Sequence, residues 1–274
     1  MIKEYTITPP KGLVRFDFQE IWRYRELLYI FVWRDIKVRY KQTVLGAIWA
    51  IFQPFLTMII FTIFFGLLVK VPSDGVPYPI FVYSGLLIWT YFSSALTNAS
   101  DCLIANESIV KKVYFPRLLL PISTTITPLI DFAFALLILF GLMLYYQFTP
   151  SILGILFIPV ALIITFLCAS GLGLFLSSVN AKYRDVRYVL PFFIQTFMYV
   201  TPVIYPVSII PQKFQWLIYL NPMAGIITTT RSTLLGTTPT SWYALLISLV
   251  IGILLLFFGI AYFRKTERFF ADIL

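Results

Sequence analysis

Long stretches without a charged residue alternate with short basic ones along most of this chain. Charge-free runs extend over Gln42–Val69, Gly75–Ser100, Tyr188–Gln212 and Ser232–Phe263, and in Leu118–Ala181 only Asp131 interrupts. Crossing a hydrocarbon core of about 30 Å takes about 20 apolar residues as a helix. The pattern therefore predicts an all-α polytopic membrane protein with six spans, near residues 45–69, 79–102, 118–144, 152–178, 188–205 and 242–263. The third and fourth are separated at Tyr145–Pro150, where polar and turn-forming residues break the run.

Before the first span the spacing changes. Phe18, Ile21, Trp22, Leu28, Tyr29, Val32, Trp33 and Ile36 recur on one helical face, with Arg23, Arg34, Lys37 and Lys41 on the flank. This predicts an N-terminal amphipathic interface helix over residues 17–40, opened by an Asp17/Glu20 variant of the capping box. A second, short amphipathic helix is expected over 106–117, with Ile109, Val113 and Tyr114 on its apolar side and Pro116 as its stop. Between the last two spans, Pro206, Pro211, Asn221-Pro222 and Pro239 frame two apolar pieces, Phe214–Leu220 and Met223–Leu235, each shorter than a span. Bare backbone is not tolerated against lipid, so these are expected as re-entrant or interfacial helices capping the outer mouth. The organisation read this way is an N-terminal cytoplasmic segment (1–41), a permease domain (42–263) holding the helices at 106–117 and 206–240, and a basic tail (264–274).

Charge orients the spans. With the N-terminus inside, the inner segments carry nine, three, three and three Lys or Arg, and the outer side keeps only Lys70, Lys213 and Arg231 of the 21. Cytoplasmic loops retain such residues, so both termini are expected in the cytoplasm. The net charge of +9 belongs to juxtamembrane residues facing anionic lipid or a cytosolic partner, and no nucleic-acid partner is expected. There is no histidine, and Cys102 and Cys168 are the only cysteines, so neither a metal centre nor a disulfide framework is expected. The first span is expected to serve as its own insertion signal.

Candidate chemistry inside the membrane is sparse. Asp131, near the middle of the third span, is costly there unless paired or wetted. It reads either as a carboxylate of a proton-coupled transporter or as a hydrogen-bonded packing residue. It has no Lys, Arg or His partner within the spans. Aromatic rings also lie at span depth: Trp49, Phe52 and Gln53 fall near one helical face, as do Phe193 and Phe197. Such faces either pack against lipid and protein or line a pathway, where rings stack on sugars.

The order of these parts resembles a known group. The segment Leu28-Tyr-Ile-Phe-Val-Trp-Arg-Asp-Ile-Lys-Val-Arg-Tyr-Lys-Gln-Thr-Val-Leu-Gly-Ala-Ile-Trp49, running into Gln53-Pro54, is similar to the start of polysaccharide-export permeases of the ABC-2 type, the exporters of O-antigen, capsule and teichoic acid. Lys111-Lys-Val-Tyr-Phe-Pro-Arg117, Leu120-Pro121, Tyr183-Arg-Asp185, Thr201-Pro202 and Asn221-Pro222 match as well. The resemblance implies a transport subunit of the inner membrane, not an enzyme, that homodimerises around a channel for a lipid-linked glycan. Two copies of a separate cytoplasmic ATPase would bind ATP and Mg, and the chain itself would need no cofactor. It has no Gly-x-x-x-x-Gly-Lys-Ser/Thr loop, in keeping with that division of labour.

On this resemblance the coupling residues are Arg34, Asp35, Lys111, Lys112, Tyr114, Arg117, Arg184 and Asp185. Trp49, Phe52, Gln53, Phe193 and Phe197 face the substrate, and Arg15, Arg25 and Lys41 attract its diphosphate. A drug or lipid exporter of the same type is the nearest alternative. A proton-coupled secondary transporter using Asp131 is more distant, since such proteins usually show internal repeats and none is visible. A polyprenol transferase would need clustered acids or histidines, which are absent.

Overall fold

The computed structural model of the protein describes residues 22–41, 44–183, 185–236 and 240–270. Arg15, Arg184 and the Asp17/Glu20 cap lie outside the described residues. Among the described residues every regular element is helical. That follows from the apolar runs: a helix satisfies its own backbone hydrogen bonds, so an apolar run can be buried without stranding its amides.

Helix α1 (Arg25–Lys41) precedes α2 (Val44–Phe61), which contains Pro54 and continues as a π-helical stretch, Thr62–Leu68. Then come α3 (Tyr78–Ala105), α4 (Glu107–Lys112), α5 (Leu119–Ile126), α6 (Leu129–Tyr145) and α7 (Ile152–Lys182). The chain ends with α8 (Val186–Val200), α9 (Gln212–Tyr219), α10 (Pro222–Leu235) and α11 (Trp242–Glu267). Four helical stretches are long and apolar enough to cross a membrane: α3, α5 with α6, α7 and α11. Two others, Phe52–Leu68 and α8, are apolar but shorter.

Helix α3 is the axis. In its most apolar window 78% of the residues are buried, against 28% in α11, which makes α11 peripheral and α3 central. It is surrounded by α2, α5, α6, α7 and α10. Hydroxyls along these helices donate to carbonyls one turn back, as in Thr165 to Ala161 (2.7 Å) and Ser248 to Ala244 (3.0 Å), so they need no water. Helices α7 and α11 approach most closely where Gly171 meets Gly259: a Cβ on Gly259 would overlap the Gly171 carbonyl. Small residues let backbones come together where no hydrophobic effect drives association.

Three local features differ from the sequence reading. The third span is divided at Thr127–Pro128, because Pro128 has no N–H to continue α5. Helix α4 is six residues long, not the whole of 106–117: Val113 is already extended (φ −125°, ψ 134°), and Pro116 disfavours helical backbone at Phe115. Val110, Phe115 and Pro116 are therefore the buried residues there, while Val113 and Tyr114 face outward. Finally, α8 ends at Val200 rather than near Tyr205, since Thr201 is extended ahead of Pro202. The two proline-framed pieces do form helices, α9 and α10. Asn221 caps α10 by accepting from the Met223 N–H (3.0 Å), with Pro222 in the first turn.

The α7–α11 contact predicts a difference between two glycines. Gly259→Ala should lower the melting temperature of the detergent-solubilised protein, by a destabilisation of about 1–3 kcal/mol. Gly141→Ala, where a Cβ meets nothing within 4 Å, should leave it unchanged or raise it.

Candidate coupling surface and translocation face

One end of the bundle gathers most of the basic segments. A second apolar cluster sits there, in which Phe31 of α1 meets Phe115 edge-on (5.5 Å between ring centres), with Leu103, Leu118, Phe263 and Phe270 around them. Leu27 and Leu28 pack beside Phe31, while the opposite side of α1 is open. Tyr29, Ile30, Trp33 and Val38 are exposed, and Tyr29 stacks on Trp33. Arg34 donates to Asp35 (3.0 and 2.8 Å) and lies over the Phe31 ring, so the two residues are engaged with each other and half-buried. Lys41 lines an open groove with Ile30, Trp33, Arg34 and Lys37, and Arg25 is exposed beside Trp22.

The remaining residues proposed for coupling divide into two groups. Lys111 pairs with Glu107 one turn away (2.6 Å), and Lys112 and Tyr114 project from the surface, Tyr114 being 82% exposed. Arg117 is tied inward instead. Its N–H donates to the Glu267 carboxylate (3.3 Å) and its guanidinium to the Glu267 carbonyl, fastening the end of α11. A cation at the last carbonyls of a helix also complements the helix dipole. Asp185 is exposed at the start of α8. Its loop is held by contacts that the sequence did not suggest: Asn180 donates to the Ser100 carbonyl (3.0 Å) and to Asp101 (2.9 Å), and Arg187 approaches Asp101 (3.7 Å).

Aromatic rings on α2 and α8 form the second feature. Trp49 and Phe52 pack together (6.1 Å) and are exposed with Gln53. Helix α8 exposes Phe192, Phe193 and Tyr199, and buries only Leu190; Phe197 leans on Trp89 of α3 (6.1 Å). Within one copy of the chain this ring surface is left uncovered.

Asp131 is not isolated. It stands in the first turn of α6, where the helix dipole favours a negative charge. Arg39 of α1 reaches it at 2.7 Å, and the Tyr40 hydroxyl donates to its other oxygen. Burial, then the hydrogen bond to Asp131, pushes the Tyr40 hydroxyl well above its ordinary pKa, so it remains a donor. Beside the pair lies a cavity of about 90 Å³ reaching Gln53, Pro54, Thr90, Ser93 and Ser94. The sequence hid this pairing because Arg39 counts with the basic N-terminal segment, and nothing in the periodicity sets how far α1 reaches along the span.

At the opposite end Arg231 of α10, counted from sequence as an outer-loop cation, is buried. It donates to the Pro202 and Val203 carbonyls (both 2.9 Å) and lies 3.8 Å above the Phe81 ring. A Cβ at Gly85 would collide with its guanidinium, so the small residue of α3 makes room for it. Asn221 adds a bond to Thr201 (2.7 Å). The turn after α8 is thereby stapled to α10 and α3.

The sequence model of ABC-2 type transporters matches residues 26–235. An O-antigen export system permease protein, RfbA, of Klebsiella pneumoniae is 31% identical over 91% of this chain and 95% of its own length. One of the same name from Myxococcus xanthus is 29% identical over 77% of the chain and 80% of its length. The polysialic acid transport protein KpsM of Escherichia coli is 24% identical over 86% and 91%.

Arg231 makes a sharp prediction. Arg231→Leu leaves two buried carbonyls without donors and should destabilise the protein by about 3 kcal/mol. Arg231→Lys should restore little, because an ammonium does not reproduce the two-pronged planar geometry. Thermal melts in detergent would show both.

Proposed function

This chain belongs to the ABC-2 type transporter family, and on that premise we propose that it is the membrane subunit of an ATP-driven exporter of lipid-linked polysaccharide of the O-antigen type. The observation that carries the reading is the pair of uncovered aromatic faces, Trp49/Phe52 on α2 and Phe193/Phe197 on α8, in a chain whose relatives are named for polysaccharide export. Rings stack on the C–H faces of sugars and ask for no particular charge, which suits a long and chemically repetitive cargo. A second copy would close the two faces into a channel.

In this reading α2 with its π-helical extension and α8 are spans, six in all, and both termini face the cytosol. The surface formed by α1, residues 107–117 and the 180–187 loop meets a separate ATPase, which binds ATP and Mg. Tyr114, Lys111, Lys112 and Asp185 stand out from that surface, and Arg34–Asp35 borders it. Arg25 and Lys41 lie where a lipid diphosphate would arrive. Helices α9 and α10 guard the outer mouth, with Arg231 and Asn221 setting their rest position. Family membership favours this reading over a proton-coupled transporter, and the ion pair of Asp131 with Arg39 argues the same way.

The test is ATP-dependent movement of a lipid-linked glycan into vesicles by the chain reconstituted with its co-expressed ATPase. Transport of small amphiphiles alone would favour the drug or lipid exporter instead. In the same preparation Lys112→Ala with Tyr114→Ala should weaken ATPase association several-fold while the melting temperature of the isolated subunit stays put. Arg117→Ala, which releases Glu267, should lower the melting temperature as well.

A further inference from the structure

Helix α1 meets the bundle first through apolar side chains, with Leu27 and Leu28 packed beside Phe31, and further on through an ionic contact. Near its middle Phe31 is seated in the apolar cluster with Phe115, and eight residues later, about 12 Å along the axis, Arg39 and Tyr40 hold Asp131. Much of the helix between and around these points is exposed. It is therefore a stiff bar with an apolar bearing and an ionic one. The ionic bearing falls on α6 just past Thr127–Pro128, where Pro128 interrupts the helical hydrogen bonding of the span.

The joint borders a polar cavity. A buried ion separated from its partner costs several kcal/mol unless other polar groups receive it. Here the adjoining cavity brings Gln53 of α2 and Thr90, Ser93 and Ser94 of α3 next to both Arg39 and Asp131. Polar groups that could receive either charge on separation therefore line the same cavity. Displacement of an element with two discrete settings is what carries coupling between distant sites. Asp131 is the single charged residue between Leu118 and Ala181, so no neighbouring charge in that stretch substitutes for it.

We propose that the Arg39–Asp131 ion pair, supported by Tyr40, is the joint through which motion of α1 reaches the broken third span. Asp131 is a positioning residue: it acts on the transport path through α6 rather than on the cargo. The proposal rests on the reading above that α1 faces the driving ATPase.

The experiment uses the full chain with its co-expressed ATPase in proteoliposomes, recording glycan export, ATP hydrolysis and the melting temperature of the complex. Asp131→Asn and Arg39→Gln should each reduce export per ATP hydrolysed on the order of tenfold, a typical coupling magnitude, while assembly and melting temperature match the wild type. The charge exchange Arg39→Asp with Asp131→Arg should recover most of the loss. If Asp131→Asn does not accumulate, Arg39→Gln gives the same readout from outside the spans. Wild-type export per ATP in these variants would overturn the joint. So would a fall in export that tracks a lowered melting temperature and is not rescued by the exchange, for then the pair only holds the fold. A wild-type complex that hydrolyses ATP and exports nothing would instead sink the exporter reading, and the joint with it.

Discussion

A backbone amide in hydrocarbon has no water to fall back on, and this fold is largely an answer to that constraint. Each apolar run becomes a helix, hydroxyls fold back onto carbonyls, and the places where helices stop are the places where other groups complete the bonding. At the turn after α8 the carbonyls of Pro202 and Val203, left over by Thr201-Pro202, are taken by Arg231. At the end of α11 the last carbonyls are met by Arg117. Buried hydroxyls within the helices bond back to the preceding turn, while Arg231 and Arg117 serve the helix ends.

The two ends of the bundle use this differently. The Arg231 staple is buried and makes two hydrogen bonds, over a phenylalanine ring and against a glycine, and it ties α10 to the turn after α8. The Arg39–Asp131 contact is half-buried, borders a polar cavity and spans a helix break. On the proposed orientation, the staple would lie at the outer mouth and the ion pair toward the side of the ATPase.

The apolar runs announced the helices well, because in a membrane the length and charge of a run nearly determine the element. Proline placement likewise announced α9 and α10. Tertiary polar contacts were not legible. Asp131 read as solitary because its partner comes from a segment whose basic residues look like ordinary juxtamembrane charge. Arg231 read as a surface charge because composition does not say which loop folds back. Helix α4 came out too long because the apolar face at Ile109, Val113 and Tyr114 outweighed Val113's β-branching and the effect of Pro116 on the residue before it.

The central claim is that the rings of α2 and α8 face a channel rather than lipid. It is tested most directly by spin labels placed singly at Phe193, Phe197 and Phe257 in the reconstituted complex; both native cysteines are buried and leave a clean background. Phe257 is an exposed ring on the peripheral α11 and serves as the lipid-facing reference. The account predicts that labels at 193 and 197 collide with a water-soluble relaxation agent while the label at 257 meets mainly oxygen dissolved in the bilayer. Three labels with the same lipid profile would contradict it.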